Sequence, residues 1–136
     1  LGTDAGCNNS GNSLIAYVFA DKPGFSRFGT WKGNGTTDGA FVYTGFRPSF
    51  LMIKGIAASR EWNMLDAARA TNQYNTESDR KYLYADSSGE EYDRTYDIDF
   101  LSNGFKVGDD EDDINAAETY IYIAFAETPF KYSNAR

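Results

Sequence analysis

Two aspartates lie two residues apart in the run Thr95–Leu101, at a spacing that could serve acid–base chemistry. Alternate residues of a strand point to one face, so Asp97 and Asp99 would lie about 7 Å apart. Two carboxylates separated by about 5–10 Å are what glycoside hydrolysis requires. Because no glutamate accompanies them on that face, we interpret Asp97 and Asp99 as part of a solvated strand face rather than a catalytic pair.

The sequence contains no histidine, which is its most restrictive feature. This excludes Ser-His-Asp and Cys-His nucleophile systems, histidine-ligated metal hydrolases and the commonest general base at neutral pH. The single cysteine, Cys7, allows neither an intrachain disulfide nor a cysteine-based zinc site. We therefore predict a protein that is not an enzyme.

An acidic run near the C-terminus is the one candidate metal site. Calcium binds several hard oxygen ligands, and Asp109, Asp110, Asp112 and Asp113 could supply them. Consecutive acids do not match the alternating ligands of an EF-hand loop, so an exposed acidic turn is the alternative. No other cofactor is expected.

Aromatic side chains are the candidate ligand contacts, because flat apolar rings are good platforms for sugars. Most of the 22 aromatic residues must fill a core, and Trp31, Tyr74 and Tyr92 are the candidates for a ligand contact. Tyr43 and Tyr84 are further candidates for the same role.

A second charged pair follows Trp62. Arg69 is suited to bidentate pairing with the carboxylate of Asp66, and we expect a structural ion pair there, with a ligand contact as the alternative.

The net charge of −7 bears on the partners of the protein. A negative surface repels phosphate backbones, so nucleic acid is not an expected partner. No stretch approaches the roughly 18 apolar residues of a membrane-spanning helix, so membrane insertion is not expected either.

Short apolar runs separated by turn residues recur every 8–15 residues, and no segment has a helical apolar period. This pattern predicts an all-β fold, an antiparallel β-sandwich of the jelly-roll type. The clearest predicted strands are Ser13–Ala20, Ser49–Ile56, residues 61–66, Lys81–Ala85 and Thr119–Glu127.

One internal repeat stands out. Ser13–Pro23 (SLIAYVFADKP) aligns with Thr119–Pro129 (TYIYIAFAETP) at a constant offset of 106 residues, with four identities. Chance similarity between two buried strands is the alternative explanation. We interpret residues 1–22 as a leader and the closing strand of a preceding module, and residues 23–136 as a β-sandwich module.

Four strings carry a resemblance to a known group of proteins: residues 24–55, the run from Trp62 to Arg69, DIDFLSNGFKVG at 97–108, and TYIYIAFAETPFKYSNAR at 119–136. Together they resemble the C-terminal repeat modules of long bacteriophage virion proteins, which look like concanavalin A-like lectin and glucanase sandwiches. The resemblance covers roughly residues 12–136. The closing string Phe130–Arg136 matches one that often ends such modules, which suggests a genuine C-terminus.

The resemblance implies a structural virion protein, located on the extracellular particle and belonging to a tail fibre or spike used in host attachment. The implied partners are other virion subunits, as in a homotrimer, and a host-surface glycan. Two alternatives remain open: a purely structural capsid-decoration or tail-spacing domain, and a glucanase-like glycoside hydrolase that would use Asp97 and Asp99. The acidic loop Asp109–Asp113 departs from the modules, so loop-borne specificity is not carried over.

Overall fold

The computed structural model describes residues 10–11, 13–57, 60–69, 80–94 and 98–128. Within these ranges the chain forms nine strands and one short helix, α1. The strands are β1 (Ser26–Lys32), β2 (Phe41–Tyr43), β3 (Pro48–Gly55), β4 (Asn63–Asp66), β5 (Arg80–Tyr84), β6 (Tyr92–Arg94), β7 (Ile98–Leu101), β8 (Gly104–Val107) and β9 (Thr119–Ala126), and α1 spans Asp112–Asn115.

The strands form two antiparallel sheets. The large sheet has the order β1-β9-β3-β4-β5-β6, and the small sheet has the order β2-β8-β7. The predicted all-β, antiparallel β-sandwich is therefore confirmed. No helix in the described ranges is long and apolar enough to cross a membrane.

Alternation along the strands explains how the two sheets make one core. In β9, the side chains of Tyr120, Tyr122 and Ala124 point inward and are buried. Leu51 and Ile53 of the neighbouring strand β3 are buried in the same way. The small sheet adds its own inward residues, Val42, Phe100, Phe105 and Val107. Wide aromatic side chains thus fill the space between the sheets.

The predicted strand at Ser13–Ala20 is wrong. These residues form no strand, and Leu14, Ile15, Tyr17, Val18 and Phe19 are all exposed. The local apolar pattern suits a strand, but a strand also requires backbone hydrogen bonds to a neighbouring strand, and residues 13–19 make none in the described part of the chain. The division into residues 1–22 and 23–136 stays a prediction.

Two short elements lie where the sequence indicates only acidic turns. Strand β6 pairs with β5 over three residues, and α1 occupies part of the acidic run. β6 is only three residues long and pairs with the nearby β5, whereas α1 is held by Asn34 and Arg60, which are distant in sequence.

Candidate ligand groove

A groove lies between the turn that precedes β1 and the end of β2. It encloses about 490 Å³, which falls within the range of about 300–1,000 Å³ typical of small-molecule sites. We call it the Tyr43 groove, and its walls are formed by Asp21, Lys22, Pro23, Gly24, Ser26, Arg27, Tyr43, Thr44 and Gly45.

The first wall is a tight turn with a fixed geometry. Lys22 and Ser26 exchange two backbone hydrogen bonds of 3.0 Å each, and Gly24 takes a positive φ of 72° between them. Pro-Gly sequences favour such turns because proline presets one φ angle and glycine accepts the other. The Ser26 hydroxyl donates to the carbonyl of Ala20 at 2.8 Å, which ties the incoming chain to the turn.

Asp21 stabilises the same wall through both of its carboxylate oxygens. Oδ1 accepts a hydrogen bond from the backbone N–H of Phe28 at 2.8 Å, and Oδ2 pairs with the Arg27 guanidinium at 3.2 Å. Lys22 is exposed, and its ammonium group has no ion-pair partner in the described part of the chain. The wall therefore offers a fixed carboxylate beside two cations.

The second wall presents an aromatic ring. Alternation in β2 buries Val42 and turns Tyr43 outward, where its side chain is 64% exposed. Gly45 has a φ of 84°, a backbone conformation that favours glycine, and a Cβ there would be in ordinary van der Waals contact with the Tyr43 ring at 3.5–3.8 Å. The backbone N–H groups of Thr44 and Gly45 both donate to the carbonyl of Asn103, which holds this wall on the turn between β7 and β8.

The lining of the groove thus combines an aromatic residue with charged side chains that can form hydrogen bonds. Carboxylates accept hydrogen bonds from hydroxyl groups, and guanidinium and ammonium groups donate to hydroxyl oxygens. This combination suits a small polyhydroxylated ligand that stacks on the ring and bonds at its rim.

The predicted ligand contacts have different outcomes. Trp31 is only 8% exposed, stacks on Tyr120 at 4.9 Å and packs edge-on against Phe105 at 5.5 Å, so it is a core residue and not a surface platform. Tyr92 is half-buried, with its ring 5.0 Å from that of the buried Tyr84. Tyr74 lies outside the described residues.

Acidic side chains of the loop Asp109–Asp113 bind other groups of the same chain. Asp112 pairs with Arg60 at 3.4 Å, and Asp109 accepts a hydrogen bond from the backbone N–H of Glu111. Across the described ranges, no group of three or more acidic or cysteine side chains is placed to hold a metal ion. The calcium prediction for Asp109, Asp110, Asp112 and Asp113 gains no support from this arrangement and stays a prediction.

The buried amide of Asn115 explains why this loop is ordered. Its Nδ2 donates to the Asn34 side chain and to the carbonyls of Thr36 and Asp109, and its Oδ1 accepts from the backbone N–H of Asn34. One fully buried side chain therefore joins the loop after β1 to the loop before α1.

The expected pair of Asp66 and Arg69 is confirmed as an ion pair. Burial raises the pKa of Asp66, but the Arg69 guanidinium and nearby backbone N–H groups outweigh that effect, and the net pKa lies below its ordinary value. Arg69 also pairs with Glu91 at 3.0 Å, which links β4 to the segment before β6.

The candidate catalytic pair cannot be assembled from the described residues, because Asp97 lies outside them. Asp99 is half-buried on β7, directly opposite Lys106 of β8. The catalytic alternative therefore stays a prediction.

Comparison with known proteins identifies a family. A family model described as a domain of unknown function, DUF7483, matches residues 1–129. The chain belongs to the DUF7483 family. No curated protein and no solved structure matches the chain.

Sequence reasoning missed most of the groove. Tyr43 was one of several candidate aromatics, whereas Asp21, Lys22 and Arg27 were not singled out. The available signal was the Lys22-Pro23-Gly24 turn between charged residues, since such a turn brings its flanking side chains together.

Proposed function

We propose that this DUF7483 domain is a non-catalytic virion module, part of a tail fibre or spike, that contacts a sugar on the host surface. The observation that carries the sugar contact is the lining of the Tyr43 groove, in which the exposed Tyr43 occurs together with the charged residues Asp21, Lys22 and Arg27. The virion context rests on the resemblance of residues 12–136 to phage repeat modules.

The electrostatics favour a neutral sugar. The chain carries a net charge of −7, which repels acidic glycans at long range. Within the groove, the Asp21–Arg27 pair and the Lys22 ammonium provide both an acceptor and donors for hydroxyl groups. A neutral hexose stacked on Tyr43 would satisfy both conditions.

A panel of neutral and acidic oligosaccharides tests the proposal with the full chain and two variants. Tyr43→Ala should weaken binding to the best neutral sugar by about two- to thirteenfold, because an aromatic contact contributes about 0.5–1.5 kcal/mol. Tyr43→Phe keeps the ring face and should retain most of the affinity.

Leu101→Ala is the matched control, because Leu101 is also an exposed apolar residue of the small sheet but does not line the groove. Equal binding by the native chain and Tyr43→Ala would refute the groove as the site. Binding to no sugar at all would instead favour the purely structural alternative, a decoration or spacing domain.

A further inference from the structure

Residues 13–20 form an apolar segment that pairs with no strand in the described part of the chain. The run SLIAYVFA contains no charge, and Ile15, Tyr17 and Val18 are 82%, 81% and 88% exposed. Within the described part of the chain, residues 13–19 belong to no strand and make no backbone hydrogen bond. A contiguous exposed run of this kind is unusual for a folded domain and marks a contact surface.

The segment has the side-chain pattern of β9. At the offset of 106 residues, Leu14, Ala16 and Val18 align with the inward row of β9, which is at most 5% exposed. Ile15, Tyr17 and Phe19 align with the outward row, whose members are partly buried. An apolar pattern on both faces is what a central strand needs.

The position of β9 in this sandwich is already filled. β9 bonds to β1 on one side and to β3 on the other, along their whole lengths. A strand with the β9 pattern therefore has no place inside its own large sheet.

The free edge of β1 does not accept the segment either. The Lys22–Ser26 pairing, continued as a hairpin, would place Ala20 opposite Phe28 and turn Phe19 toward the inner face. Phe19 instead lies on the outer face, 5.9 Å from both the Phe28 and the Phe125 rings. The segment thus leaves the sheet directly after the turn.

The segment 13–20 and strand β9 are also followed by similar acidic residues. Asp21 follows the segment and pairs with Arg27, and Glu127 follows β9 and pairs with Arg47 at the same distance of 3.2 Å. The likeness therefore includes the strand and the acidic residue that ends it.

We infer that residues 13–20 are the closing strand of a second sandwich of the DUF7483 family, where they occupy the position that β9 has in this one. The turn at residues 21–25 then joins the two sandwiches directly. This inference does not depend on the sugar contact.

A tandem protein tests the inference, made of residues 21–118 followed directly by residues 13–136, so that the segment 13–20 occurs only once, at the junction. Its first sandwich lacks β9 and can be closed only by the segment 13–20 at the junction, while its second sandwich is the one described above. We expect the near-ultraviolet circular dichroism lost on urea unfolding, per mole of chain, to be about twice that of the single chain.

Val18→Asp at the junction is the decisive variant. Val18 aligns with the fully buried Ala124, so a carboxylate there should prevent closure and return the signal to that of one sandwich. In the single chain, where Val18 is exposed, the same substitution should leave the transition unchanged. A signal of one sandwich from the native tandem, unaltered by Val18→Asp, counts against the inference.

A second tandem protein, with a changed junction, is needed if the first sandwich fails to fold because its closing strand has too small side chains. Leu14 and Ala16 are smaller than the aligned Tyr120 and Tyr122, so Leu14→Tyr with Ala16→Tyr at the junction restores the rings. Two sandwiches from this junction, reduced to one by Val18→Asp, support the inference. If both junctions yield one sandwich, the inference is overturned.

Discussion

The hydroxyl group of Tyr120 holds the helix α1 region to the core, and its removal should have a pH-dependent cost. The side chain is fully buried, and its hydroxyl donates to the carbonyl of Asp112 at 2.5 Å and accepts from the backbone N–H of Ala116 at 2.8 Å. Burial raises the pKa of Tyr120 to about 12. Tyr120→Phe removes the hydroxyl and retains the ring that stacks on Trp31.

At pH 8 the substitution should lower the free energy of unfolding by about 2 kcal/mol, because a buried polar group left unpaired costs about 1–3 kcal/mol. The folded pKa lies above the unfolded value of about 10, so the native state holds more protons than the unfolded state between these values. The native chain therefore loses about 1.4 kcal/mol of this stability by pH 11, and the phenylalanine variant does not. The difference between the two should shrink to about 0.6 kcal/mol.

Urea unfolding at 25 °C, followed by tryptophan fluorescence at pH 8 and pH 11, measures both differences. Tyr43→Phe is the matched control, because Tyr43 is exposed and its substitution should change the free energy by less than about 0.5 kcal/mol at either pH. A Tyr120→Phe difference that is constant from pH 8 to pH 11 would show that the buried phenol does not carry the effect.

Two further predictions concern the loop contacts. Gly33→Ala should lower Tm by several degrees in a thermal scan, because a Cβ there would lie 2.1 Å from the backbone carbonyl oxygen of Ala116; an unchanged Tm would contradict this close approach. Asp66→Asn should destabilise the chain at pH 7, and the difference in unfolding free energy between the native chain and the variant should close as the pH falls below about 4. A depressed pKa contributes stability that is lost when the folded carboxylate gains its proton. Urea midpoints at pH 7 and pH 3 check this, with the exposed Asp110→Asn as control, and a pH-independent gap would contradict the role of Arg69.

Strands whose sequence matched their final environment were predictable. β3 and β9 are central strands whose inner faces pack in the core and whose outer residues are partly buried, which their apolar runs match, and β9 was expected at the observed position. The Asp66–Arg69 pair was predictable because its partners are three residues apart. Ser13–Ala20 has the same pattern as β9 but forms no strand, because β9 already fills the position that suits this pattern, and the local sequence does not show which of two similar segments takes it.

The groove was less predictable for a related reason. Alternation shows that Val42 and Tyr43 face opposite sides of β2, but not which side meets the core. That choice is fixed by pairing with β8, more than 60 positions along the chain, where Val42 faces Phe105. The same limit applies to Trp31, whose burial follows from its pairing opposite Tyr120.

The two proposals meet at Asp21 but remain separable. Asp21 follows the segment 13–20 and also forms one wall of the Tyr43 groove, so a second sandwich bound to that segment would lie close to the sugar site. The opposite wall, from Tyr43 to Gly45, is held by Asn103 and does not involve the segment. Substitution of Val18 therefore acts on the joining of sandwiches and substitution of Tyr43 on the sugar contact, so the failure of one proposal leaves the other standing.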